Sequence, residues 1–182
     1  GMTVVAGRPN ETNSLRVVGS TFTGCSANEF GGAIALNTYA EAAGIDMVVM
    51  GSTFFENSAM YGGGGCVYAG ASSRTRFENV TLELCSAYDG DGGGISVAQD
   101  SSTVLSATLM KNCWAYGGSG GGVYGGLNHF FEAINGTVFD SCGNEGFGGG
   151  SVYIYGGAVK LSDVEFLNGH STRRGGALCA YI

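Results

Sequence analysis

Val49-Met50-Gly51-Ser52-Thr53-Phe54-Phe55-Glu56-Asn57-Ser58-Ala59-Met60-Tyr61-Gly62-Gly63-Gly64-Gly65-Cys66-Val67 carries the pattern that decides the fold. An apolar residue, Val49, is followed five positions later by a second, Phe54, with Gly51 at the turn between them. A glycine pair, Gly64-Gly65, then opens a short apolar run. The same order recurs along the chain. Glycine pairs stand at Gly31-Gly32, Gly64-Gly65, Gly93-Gly94, Gly121-Gly122, Gly149-Gly150 and Gly175-Gly176, with offsets of 33, 29, 28, 28 and 26 residues. The anchor before each pair is Phe22, Phe54, Leu82, Leu109, Phe139 and Phe166, and five positions earlier stand Val17, Val49, Phe77, Val104, Ile134 and Leu161. Self-similarity at this period is the mark of a repeat architecture.

Between the two apolar columns lie Gly19, Gly51, Asn79, Ser106, Gly136 and Asp163. These residue types tolerate tight or left-handed backbone. Each unit therefore reads as a short strand, a turn, a second strand, a glycine-rich corner and a third strand, with a variable loop before the next unit. No segment has a helical period, and none is long enough to fold alone. Stacking unit on unit buries the apolar columns and pairs the strands in parallel. The expected fold is all-β: a right-handed parallel β-helix of about six coils. Residues 1–14 read as an N-terminal lead-in or cap and 15–182 as the repeat domain. The last coil is incomplete, as in a segment cut from a longer chain. A β-sandwich would need two-residue hairpin signals between alternating strands, and these are sparse. Insertions fall after the third strand, in 37–44 and 70–74, which places that loop in solvent.

Composition narrows the class further. Of 182 residues 35 are glycine, one is proline, 13% are charged and 44% hydrophobic, a balance too apolar for disorder and too glycine-rich for a helical bundle. The net charge of −7 argues against a basic, phosphate-tracking nucleic-acid binder. No apolar run is long enough to form a transmembrane helix, and the Gly1–Val5 start lacks the n- and h-regions of a signal peptide.

Phe54-Phe55-Glu56-Asn57 fits an FxxN motif, and Gly31-Gly32-Ala33-Ile34 and Gly175-Gly176-Ala177-Leu178 fit GGA[ILV]. In order and spacing these motifs resemble the repeats of chlamydial polymorphic outer membrane proteins and related eukaryotic surface proteins. The resemblance runs from Leu15 onward and implies a β-helical extracellular segment, often an adhesive one. The chain departs from it where Cys25, Cys85, Cys142 and Gly169 take the Asn position, and where Asn112 follows a Leu anchor. Within the 182 residues the resemblance extends to the repeats, with no barrel segment expected among them.

Several residues are candidates for chemistry. The cysteines Cys85, Cys113 and Cys142 fall on consecutive units in nearly one column, within disulfide reach, so an adjacent pair is a candidate bridge; the competing reading makes them small buried hydrophobes. Asn57 and Asn112 are expected to satisfy backbone groups of neighbouring coils. Sequons stand at Asn10, Asn79 and Asn135. Phe30, Tyr61, Tyr88, Tyr116 and Phe147 precede the glycine corners and read as an aromatic edge, with two uses: filling a corner by stacking, or holding a carbohydrate. Asp89 and Asp91 form a candidate Ca²⁺ loop, for which an acidic solvated loop is the simpler reading.

A β-helical polysaccharide lyase or hydrolase would need clustered carboxylates or a basic proton acceptor beside a cation. Asp46, Asp100, Asp140 and Asp163 are scattered, Lys111 and Lys160 are the two lysines, and His129 and His170 stand apart. Arg173-Arg174 reads as a solvated corner. The expectation is a noncatalytic extracellular segment without cofactor: a stalk, fibre subunit or adhesin at a cell surface. Its partners would be neighbouring coils or further copies end to end, with glycans or a surface receptor as ligands. A carbohydrate-binding β-helix is the alternative.

Overall fold

The computed structural model describes residues 2–5, 13–37 and 44–181. These form strands and turns wound into a parallel β-solenoid of about six turns. Each coil contributes to four parallel sheets. The first holds Asn13–Val18, Ile45–Met50, Arg74–Glu78, Ser102–Ser106, His129–Ile134 and Gly157–Leu161. The second, which carries the anchors, holds Thr21–Thr23, Thr53–Phe55, Thr81–Glu83, Leu109–Lys111, Thr137–Asp140 and Val164–Leu167. The third is built from two-residue strands: Ser26–Ala27, Ser58–Ala59, Ser86–Ala87, Trp114–Ala115, Gly143–Asn144 and His170–Ser171. The fourth follows the glycine corner: Met2–Val5, Ile34–Asn37, Val67–Ala69, Ile95–Val97, Val123–Gly125, Val152–Tyr155 and Leu178–Tyr181. The third sheet lies in what the sequence reads as corner, because two residues are too few to show a period. Within the lead-in read as 1–14, Met2–Val5 pairs with Ile34–Asn37, and Asn13 and Ser14 already belong to the first sheet.

The anchor column is continuous. Phe22 lies on Phe54 with centroids 4.8 Å apart, and Phe139 on Phe166 at 5.0 Å, both nearly parallel. Phe54, Leu82 and Phe139 are fully buried. In the fourth coil the register differs by one residue from the expectation: Met110, not Leu109, pairs with Leu82 and Phe139 and is buried. Likewise Leu105 and Ala133 replace Val104 and Ile134 in the upstream column. Paired apolar residues, Val104-Leu105 and Leu109-Met110, leave the choice open in sequence, whereas a one-residue slip turns every side chain to the other face. The turn then falls on Ala107 at φ 47° rather than Ser106. The fifth coil accommodates one extra residue by placing both Asn135 and Gly136 at positive φ.

Glycine is required at the third corner by contact as well as by φ. A Cβ on Gly93 would meet the carbonyl of Gly121 in the next coil and, at 2.5 Å, the backbone of Trp114. Successive coils can approach to hydrogen-bonding distance there only without side chains; Gly94 N–H donates to Gly121 O at 3.0 Å.

The inward column after the anchors runs Cys25, Asn57, Cys85, Cys113, Cys142 and Gly169, each one residue before a third-sheet strand. Asn57 acts as expected: its Oδ1 accepts Cys25 N–H at 2.9 Å and its Nδ2 donates to Phe22 O at 3.0 Å. Asn112 does not join it, since the one-residue shift puts it at the corner with φ 51°. Cys113 and Cys142 take over the amide's role, their thiols donating to Leu82 O and Met110 O at 3.5 Å. The bridge expected among Cys85, Cys113 and Cys142 is not formed. Cys85 is bonded to Cys66, Cα–Cα 5.4 Å, and Cys113 and Cys142 are free buried thiols. Cys66 enters from the glycine corner of the preceding coil, and the short way across the interior runs corner to column. The contact with Cys142, together with burial, pushes the Cys113 thiol well above its usual range.

Candidate functional site

Strands of the fourth sheet alternate inward apolar residues with outward ones, and the outward column reads Ala35, Tyr68, Ser96, Tyr124, Tyr153 and Cys179. The glycine corners rise beside this face because they carry no side chains to fill the space. Sheet and corner together form a groove along the solenoid. Its main cavity has a volume of ≈ 600 Å³ and is lined by Phe30, Tyr61, Tyr68, Asp89, Asp91, Ser96, Gln99, Tyr124 and Tyr155, among others, with no basic residue among the described lining residues. A smaller cavity continues past Asp91 and Tyr124 to Phe147, Tyr153 and Tyr155. Sites of this size with aromatic walls and a few polar groups are the usual form of a small-molecule or sugar site.

The rings in the groove are backed by other rings. Phe30 stacks on Tyr68 at 4.4 Å, and Tyr124 on Tyr153 at 5.7 Å with planes 4° apart. Burial raises the Tyr68 hydroxyl above its ordinary pKa. Burial, then the charge of Asp91 and the neighbouring Tyr153 and Tyr155, pushes Tyr124 up to about 12. Both hydroxyls therefore remain protonated donors at neutral pH. Asp91 is half-buried at the groove's side, where its Oδ1 accepts the Ser119 N–H at 2.7 Å. Burial raises its carboxyl, and that hydrogen bond partly opposes the rise.

The aromatic edge read from sequence divides between two places. Phe30, Tyr61 and Phe147 line the groove. Arg173 lies over the Phe147 ring at 5.1 Å. Tyr88 and Tyr116 stand outside it on the third-sheet side, stacked on each other at 5.3 Å, with Trp114 tilted beside Tyr116 at 6.0 Å. The two sets look alike in sequence because each ring lies within a few residues of a glycine pair, although their distances from it differ; the paired corners in the third and fourth coils are Gly92-Gly93 and Gly120-Gly121, one residue earlier than read. Tyr68, Tyr124 and Tyr153 were missed as site residues. Their signal was present: a tyrosine one residue after the first apolar residue of three fourth-sheet strands.

The remaining candidates separate. Asp89 is exposed at the groove rim and Asp91 turns into the groove; among the described residues no cluster of three or more His, Cys, Asp or Glu side chains forms around them. Asn79 and Asn135 are exposed at positive φ in the first corner, and Asn10 lies outside the described residues. The scattered acids are rungs of side-chain ladders. Asp46 pairs with Arg74 at 3.6 Å, Asp100 accepts Asn128 Nδ2 at 3.0 Å, and Asp140 accepts Asn168 Nδ2 at 3.3 Å. His129 is wholly buried in the first sheet, with neither ring nitrogen partnered, and burial lowers its pKa to about 4. No described helix is long and apolar enough to cross a membrane. Comparison with protein-family models, curated proteins and solved structures finds no match to this chain.

Proposed function

We propose that this chain is a noncatalytic segment of an extracellular rod, a stalk or adhesin, whose recognition surface is the groove on the fourth sheet. The observation that carries the reading is the placement of the rings. Phe30, Tyr61, Tyr68, Tyr124 and Tyr155 line a lengthwise groove on the outside of an unbroken four-sheet scaffold. Such a surface holds a ligand across several coils. Asp46, Asp100 and Asp140 are engaged in ladders along the rod, a structural use of carboxylates that favours scaffold over catalyst. The Cys66–Cys85 bridge favours an oxidising compartment. The repeat order shared with polymorphic outer membrane proteins points the same way. Contact with a further coil or another copy belongs to this reading: Val159, Phe166 and Leu178 in the last coil pack on the core while only partly buried.

The test is twofold. Beads coated with the folded protein are expected to be retained on cell monolayers or extracellular matrix, and incubation with polygalacturonate, xylan and glucans to release no reducing ends. Turnover in proportion to protein would overturn the noncatalytic reading, and absence of retention on every surface the adhesive one.

A further inference from the structure

We propose that the part of the cavity bordered by Tyr68 and Tyr124, on either side of Ser96, is a binding subsite for one pyranose ring of a neutral glycan. In the outward column of the fourth sheet, Ser96 is a missing rung. Phe30 backs Tyr68 from the coil before, and Tyr153 backs Tyr124 from the coil after. Tyr68 and Tyr124 thus flank the serine two strand spacings apart along the column, about 9–10 Å, and both line the cavity. A planar ring between them at contact distances of about 3.5–4.0 Å from each would fill only about 7–8 Å. A puckered pyranose is thicker and presents C–H bonds on both faces, so it occupies the slot more fully than an aromatic side chain or base.

The polar groups suit the same occupant. Asp91 lies beside the slot with Oδ1 tied to Ser119 N–H, which orients the carboxylate and leaves its other oxygen to accept a sugar hydroxyl. Asp89 and Gln99 stand on the same cavity wall. With two carboxylates and no basic residue among the described lining residues, uronates and sialates would be repelled, which selects neutral sugars. The cavity exceeds one ring and continues to Tyr155 and Phe147, so the neighbouring residues of a chain have room on either side. This subsite rests on the reading of the groove as the recognition surface; glycan titration tests it apart from cell retention, which a different face of the rod could also support.

The experiment is calorimetric titration, with saturation-transfer NMR for weak binders, against cellohexaose, xylohexaose, mannohexaose, chitohexaose and β-1,3-glucohexaose, plus trigalacturonate and choline. At least one neutral hexaose is expected to bind. Tyr68→Ala and Tyr124→Ala should each weaken it roughly tenfold or more, while Tyr88→Ala and Tyr116→Ala, outside the groove, leave it unchanged. Ser96→Tyr should abolish binding by filling the rung; if that variant does not fold, the two alanine variants decide. The proposal is overturned if no neutral hexaose binds, if binding survives loss of both Tyr68 and Tyr124, or if trigalacturonate or choline binds more tightly.

Discussion

Two aromatic ladders on this solenoid each lack one rung, and they treat the gap differently. In the third sheet the column runs Trp114, Gly143, His170. There the indole leans across the glycine until it stacks 5.9 Å from the imidazole, and a Cβ on Gly143 would strike it. In the fourth sheet the column runs Tyr68, Ser96, Tyr124, and each tyrosine is held back by a ring on its far side. The first gap is closed by a ring; at the second, Ser96 packs against the Gly63 backbone and no ring leans across it. A missing rung thus stays free of a neighbouring ring where the flanking rings are already engaged.

Four measurements would break or sharpen this contrast. The largest effect is expected at the floor common to both ladders. Phe139 is fully buried in the anchor column, and Phe139→Ala should cost about 3–5 kcal/mol in denaturant unfolding, collapsing both ladders together. A loss below about 1 kcal/mol would mean that the column does not bear on either.

Next is the pH dependence that His129 imposes under the fourth sheet, where its ring lies against Gly125. Its folded pKa of about 4 lies below the unfolded value near 6.5. Between these values the unfolded chain binds a proton that the folded chain does not, so stability falls as pH drops from about 6.5 and levels off below about 4. The full loss is about 3 kcal/mol. Melts of wild type and His129→Leu across that window should diverge toward acid, the variant showing the shallower decline.

A smaller effect is expected at the closed gap. Gly143→Ala forces the indole off its seat and should cost about 1–3 kcal/mol, with a change in tryptophan fluorescence. The smallest is at Ser96: Ser96→Ala should alter stability by less than about 1 kcal/mol, because it removes one hydroxyl and keeps the Cβ that packs by Gly63. Equal costs at Gly143 and Ser96 would erase the distinction between the two ladders.

The repeat was legible because stacking imposes the same demand on every coil. Anchor, turn and glycine corner each return at a fixed place, so Phe22, Phe54 and Leu82 could be aligned without knowing the fold. Register was not legible at every pair of adjacent apolar residues. At Leu109-Met110 two neighbours were equally apolar, and pairing with Leu82 and Phe139 made the choice. Tyr88 and Tyr116 could not be told from the rings that line the groove, because all stand within five residues of a glycine pair and only the third-sheet pairing separates them.

Cysteine chemistry shows the other limit. A column of three thiols suggested a bridge along the stack, whereas Cys85 found Cys66 across the interior and Cys113 and Cys142 became donors to carbonyls. Distance along a column is set by strand spacing, but distance across the coil depends on how the corner folds back.

The amino-acid order alone thus dictated a parallel stack of about six windings, because periodic burial and periodic glycine are written locally and each winding repeats them. The identity of the inward residue in the fourth coil, the partner of Cys85 and the placing of Tyr68 and Tyr124 on either side of Ser96 emerged only on stacking. Each depends on side chains about 28 residues or more apart, or on opposite walls of one coil, and no local pattern encodes which of them meet.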